Sequence, residues 1–212
     1  MRAFETLRAS DGYQVCLFPL EYMNISQDEN GGYSHQGTYN IDFLGWSAIG
    51  RLLNCPYYAP VDLKCVDGSS VADNNRIYES LDPVHLADGT IDYLTILVAH
   101  DNNPPHNIGD IVRQGQLLGR TGTAGQVTGD HVHSCCGKGR YQGITTRPTG
   151  HIDLTNRCHY WEATYVNDTT IINGENHDWK IWNGGSPSFH RKAKFPFVLY
   201  ANKLRNMYRK NY

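Results

Sequence analysis

No apolar run in the 212 residues approaches the roughly 20 needed to cross a bilayer as a helix. The longest near the start, Val15 to Leu20, is short and follows Asp11, so neither a membrane span nor an amino-terminal secretory signal is expected. No Gly-Lys-Ser/Thr follows the glycine-rich stretches, and no strand-to-helix unit carries dinucleotide spacing, which argues against nucleotide binding. No nucleic-acid partner is expected either. No Cys-x-x-Cys pair occurs among the six cysteines (Cys16, Cys55, Cys65, Cys135, Cys136, Cys158), which speaks against a zinc ribbon. They are also too few and too irregular for a disulfide scaffold, so buried thiols are expected. A second metal site from Cys135, Cys136, Cys158 and His159 would match no standard spacing. Acid is missing from residues 179–212. All 21 acidic side chains lie in residues 1–178 and eight of the 19 basic ones lie beyond, leaving a body at −10 and a tail at +8. Such a tail suits a polyanion, an acidic partner surface, or its own body.

What is present is β-rich and punctuated by 21 glycines, with 14 tyrosines. Strand character is read over Gly12–Phe18, Pro56–Val66, a short stretch around Arg76–Tyr78, and Thr90–His100, the last rich in β-branched and aromatic residues. Asn30-Gly31-Gly32 and Asp88-Gly89 are turn signals. Glycines at 109, 115, 119, 122 and 125 among short apolar pairs predict tight turns between very short strands. The expected class is mainly β (β-rich α+β): an antiparallel core with long loops. A C-terminal helical extension is read over 196–212, where Val198, Leu204 and Met207 oppose Lys203, Arg205, Arg209 and Lys210. Residues 1–134 are read as the core, with its motifs in 33–134, and 135–212 as a loop-rich elaboration packed on it.

Chemistry concentrates in polar residues far apart along the chain. In Gly129-Asp-His131-Val-His133 an extended backbone would send both imidazoles to one face. His100 closes the best strand. Upstream, His35 precedes Gly37 in a turn, and Asp42 stands between the apolar Ile41 and Phe43. An aspartate so flanked is costly unless paired, hydrogen-bonded or metal-bound.

Taken in order, His35…Asp42, His100, Ile108-Gly-Asp-Ile-Val-x-x-Gly-Gln-Leu-Leu-Gly119-x-Thr-Gly-x-x-Gly125 and Thr128-Gly-Asp-His131-Val-His133 resemble the lysostaphin-type zinc endopeptidases, which cut peptide bonds in bacterial peptidoglycan. The resemblance spans about residues 33 to 134. It implies one Zn2+ per chain held by His35, Asp42 and His133, with His100 and His131 flanking it as catalytic residues. Three N/O ligands leave the fourth zinc position open, as catalytic sites require. His131 is then the proton acceptor and His100 the stabiliser of the tetrahedral intermediate, two roles that could be exchanged. Two departures stand out. The commonest family spacing is His-x-x-x-Asp, whereas His35 and Asp42 are seven apart, which requires a turn or bulge at Gly37–Asn40. Ser134-Cys135-Cys136 occupies the positions where an aromatic and an acid are common.

The implied partner is bacterial peptidoglycan. A wall substrate without a secretory signal points to a phage virion or lysis enzyme, with the basic tail docking to other tail proteins or anionic wall polymers. A secreted bacterial hydrolase is the alternative origin, and a non-catalytic wall-binding or hydrolase-activating module the alternative function.

Overall fold

The strand Leu94–Ala99 is buried at every position, and the other elements are layered around it. Its side chains leave alternately to two faces. Leu94, Ile96 and Val98 join the main core with Phe18, Phe43 and Tyr160. Leu97 meets Ile77, Cys135 and Leu154 in a smaller cluster behind the sheet. The computed structural model describes residues 1–68, 72–146, 152–185 and 187–189.

Among the described residues Leu94–Ala99 lies inside a nine-stranded sheet. Its order is Ile111–Val112, Leu63–Asp67, Arg76–Ser80, Leu94–Ala99, Val132–Lys138, Ile41–Phe43, Tyr22–Gln27, Thr170–Asn173, with Arg157–Cys158 also pairing with Val132–Lys138. Neighbours run antiparallel, apart from the parallel edge pair Tyr22–Gln27 and Thr170–Asn173. The fold is mainly β, as the composition and strand patterns predict. The described helix is a single turn, Tyr160–Ala163. The helix read over 196–212 lies outside the described residues, as do His151 and most of the basic tail. Among the described residues no helix is long and apolar enough to cross a membrane.

Two predicted strands take another form. Gly12–Phe18 is not a ladder: Cys16, Leu17 and Phe18 donate their N–H groups to His85, Pro60 and Tyr165 respectively, three separate segments. Val15, Cys16, Leu17 and Phe18 are fully buried because the chain threads between those segments. Pro56–Val66 divides into Pro56–Tyr58 and Leu63–Asp67. Pro60 lies in the break, where its missing N–H cannot serve a ladder, and its carbonyl accepts from Gln114 Nε2.

The sheet register brings distant polar residues side by side. His133 sits opposite Ala99 on one side and Asp42 on the other, and Asp42 in turn is registered with Gln27.

Candidate metal centre

Asp42 owes its orientation to its neighbours. Ile41 and Phe43 are completely buried in the core, so strand alternation turns Asp42 to the opposite face. There the two flanking strands present polar side chains. His133 Nδ1 donates to Asp42 Oδ1 at 2.9 Å, and Gln27 Nε2 donates to Oδ2 at 3.3 Å. His35 comes from outside the sheet, between turns at 32–34 and 36–37, where Gly37 takes φ +72°. Because His35 is in the loop, the odd seven-residue step to Asp42 imposes no alternation, and His35 Nε2 reaches to 3.5 Å from Asp42 Oδ1. His35 Nδ1 donates to the Asp28 carbonyl at 3.1 Å. That bond puts the ring proton on Nδ1 and leaves Nε2 with its lone pair.

One donor atom from each of His35, Asp42 and His133 lies within 4.8 Å of the other two. Tetrahedral zinc with bonds of about 2.0–2.2 Å separates its ligand atoms by roughly 3.3–3.6 Å. The 3.5 Å gap from His35 to Asp42 falls in that range, and the 2.9 Å gap from His133 is closed further by its hydrogen bond. Two imidazoles and a carboxylate, all largely buried, are a donor set that fits zinc.

Protonation agrees with that fit. Burial alone would push the Asp42 carboxyl up, but the His133 imidazole, which donates to it, and the His35 imidazole beside it outweigh that, holding it well below the usual carboxylate range. Burial pushes the His133 imidazole below its ordinary value, while Asp42 pulls the other way. A metal needs carboxylate and neutral imidazole, and the lowering of Asp42 and the burial of His133 run in that direction.

His100 and His131 stand beside this trio. His100 follows Leu94–Ala99 with φ +76°, a conformation that costs a residue with a side chain on the order of 1–3 kcal/mol. Its N–H donates to Asp73 O and its Nδ1 to Ala124 O, both at 2.8 Å. A Cβ on Gly122 would lie 2.2 Å from the His100 carbonyl oxygen, so only glycine allows this approach. His131 Nδ1 donates to Gly129 O at 2.8 Å, and its Nε2 lies 3.5 Å from Asp42 Oδ1. The His100 ring centroid is 4.7 Å from that of His131 and 5.6 Å from that of His133. Burial, then the neighbouring His133 and His131, push His100 down to about 4, so it is neutral at physiological pH. His100 thus carries its proton on Nδ1 and keeps Nε2 as an acceptor, and the bond to Gly129 likewise places a proton on His131 Nδ1.

All five polar residues singled out in the sequence therefore converge. The residues that orient them were not read in advance. Asp28, Ala124 and Gly129 act through backbone carbonyls, which leave no mark in a sequence. Gln27 is legible only once the register with Asp42 is known. Asp130 anchors the loop before His131 by accepting from Thr121 Oγ1 at 2.6 Å and Asn54 N at 3.0 Å, with Arg51 beside it. The cysteine arrangement weighed as a second metal site does not form. Cys135 and Cys136 are successive strand residues facing opposite clusters, and His159 is bonded to Glu29.

No family model matches the chain. The chain is 38% identical over 191 residues to "Morphogenesis protein 1" of Bacillus phage B103, covering 86% of this chain and 50% of that protein. It thus spans about half the length of that relative. Among solved structures it is similar to a zinc-containing peptidase from Vibrio cholerae (19% identity, 62% of this chain and 42% of the other, TM-score 0.43). It is also similar to the catalytic domain of lysostaphin from Staphylococcus simulans (20% identity, 57% and 84%, TM-score 0.41). A third is the catalytic domain of a prophage-encoded M23 protein from Enterococcus faecalis (21% identity, 56% and 82%, TM-score 0.39).

Proposed function

We propose that this chain is a zinc-dependent endopeptidase that hydrolyses peptide bonds of bacterial peptidoglycan, in the stem or cross-bridge, and acts from a phage virion on the host wall. The observation that carries this reading is a three-donor set, His35, Asp42 and His133, with one ligand atom of each within 4.8 Å of the others, and two further imidazoles, His100 and His131, at its side. In this reading one zinc ion per chain, held by those three residues, supplies a Lewis acid next to the scissile carbonyl and a water of lowered pKa.

The protein's own groups do the rest. His131 Nε2, an acceptor in the resting tautomer, takes the proton of the attacking water and passes it to the leaving amine. His100 is assigned the developing oxyanion in the tautomer that carries its proton on Nε2, which requires release of the Nδ1 bond to Ala124. In the resting tautomer its Nε2 is an acceptor, and there His100 takes the water's proton and the two histidines exchange roles. Burial of both rings limits competing water around the reacting centre.

Two further points support the setting. The relative at 38% identity is a phage morphogenesis protein, which favours a virion association and contacts with other virion proteins. The basic stretch 179–212 is suited to tail partners or anionic wall polymers. In this reading residues 135–212 elaborate the peptidase core, with Val132–Lys138, Arg157–Cys158 and Thr170–Asn173 built into its sheet.

Digestion of purified peptidoglycan followed by mass analysis of the soluble fragments tests the reading. Release with new free amino termini, abolished by chelator, is expected. New reducing sugar ends would overturn it, and tight binding to the wall without release would favour a non-catalytic binding module.

A further inference from the structure

The loop that carries His35 is gripped from one side by the segment 152–179, which supplies none of the five residues of the metal centre. The grip begins at two consecutive carboxylates. His177 Nε2 donates to Asp28 Oδ2 at 2.6 Å, and His159 Nδ1 donates to Glu29 Oε2 at 2.5 Å. The second Glu29 oxygen accepts from the Tyr160 N–H at 3.3 Å, and Asp28 Oδ1 accepts from the Glu29 N–H at 2.8 Å. Imidazole-to-carboxylate bonds of this kind are shorter and stronger than neutral ones when charged.

The two imidazoles belong to a single column of rings. Trp161 stacks on His177 with centroids 3.5 Å apart and planes 10° off parallel. His159 stacks on the other side of Trp161 at 4.4 Å and 16°, and Tyr39 stacks on His159 at 4.5 Å and 10°. The Arg157 guanidinium lies 5.1 Å from the Tyr39 ring centroid. Tyr39 is on the far limb of the same loop, where its N–H donates to Asp153 Oδ2 at 3.3 Å and Asn40 Nδ2 donates to Ile152 O at 2.9 Å. Both limbs of the loop, 28–29 and 39–40, are therefore fixed to one rigid stack, and His35 lies between them.

Asp28 links the column to the metal centre, because the residue whose carboxylate is held by His177 is also the one whose carbonyl accepts from His35 Nδ1. That carbonyl sets the tautomer and plane of the His35 ring. We propose that the His159–Trp161–His177 stack is a positioning clasp for His35: it holds Asp28 and Glu29 so that the Asp28 carbonyl aims His35 Nε2 at the metal position. His159, Trp161 and His177 are positioning residues, and the inference rests on the reading of His35 as a zinc ligand.

Zinc titration against a chromophoric chelator tests this, using purified wild type, His177→Ala and His177→Gln. Groups that hold a metal-ligating histidine change affinity by about 10- to 100-fold when removed. His177→Ala is expected to weaken zinc binding at least about tenfold. His177→Gln, which can again offer an N–H to Asp28, is expected to recover most of the loss. A purely structural role would lower the unfolding midpoint of the zinc-free protein but leave the affinity of its folded fraction unchanged, with Gln no better than Ala; that result overturns the clasp. If His177→Ala does not fold, His159→Ala asks the same question through Glu29, with loss of affinity expected and wild-type affinity contradicting the proposal. A wild-type chain that takes up no zinc overturns the metal reading and the clasp with it. Equal affinities in zinc-binding wild type and variants overturn the clasp alone.

Discussion

His133 and Asp42 face each other across two strands in register, with imidazole Nδ1 2.9 Å from carboxylate Oδ1. That pairing fixes the position of both groups and helps keep Asp42 ionised. Asp42→Asn keeps the shape but removes the charge, so zinc affinity should fall beyond the roughly hundredfold seen for outer partners of a metal site. Competition with a chelator measures it, and near-wild-type affinity would remove Asp42 from the ligand set.

Gly122 is a second sensitive point. A Cβ there meets the His100 carbonyl oxygen at 2.2 Å, and neither backbone can yield without moving the ring that Ala124 holds. Gly122→Ala should destabilise the fold by about 1–3 kcal/mol and sharply reduce wall hydrolysis while zinc is retained. Urea unfolding and metal analysis read the two effects, and an active variant of normal stability would contradict the assigned place of His100.

The stability of the protein should carry a pH signature from Glu29. Burial raises its carboxyl from the ordinary 4.5 to about 7, against the opposing pull of His159. Below pH 4.5 the group is protonated in folded and unfolded chains alike. Between about 4.5 and 7 the unfolded chain has released this proton and the folded chain has kept it, so stability falls as pH rises. Unfolding free energies at about pH 5 and pH 7.5 should therefore differ less in Glu29→Gln than in wild type. An unchanged difference would show that Glu29 titrates normally.

Thiol chemistry offers a third check on packing. Burial pushes all six thiols up, Cys65 to about 11 and Cys158 to about 12. Thiolate is the reactive form, so native protein at about pH 8 should resist iodoacetamide. Denatured protein should take up six equivalents. Rapid labelling of native Cys135 or Cys136, read by mass spectrometry, would contradict their buried positions.

How much of this was legible in advance depends on where the information lies. Leu94–Ala99 could be read because a continuous β-branched and leucine run has few other uses. The convergence of His35, Asp42, His100, His131 and His133 was legible through motif order, and Asp42 also through its apolar flanks. Pro56–Val66 misled because its pattern continues across Pro60, where the ladder cannot. Gly12–Phe18 misled because burial by three different segments leaves the same apolar mark as a strand. The ring column was invisible: Tyr39, His159, Trp161 and His177 have no shared period, and only the return of the chain after Val132–Lys138 stacks them.

Metal content of purified His133→Ala set beside His131→Ala tests the central claim most directly, since the two rings are separated by a single residue yet are assigned different work. Wild type and His131→Ala should each carry about one zinc per chain, His131→Ala without turnover, and His133→Ala should carry almost none. Equal zinc loss in both variants, or full zinc in His133→Ala, would contradict the account.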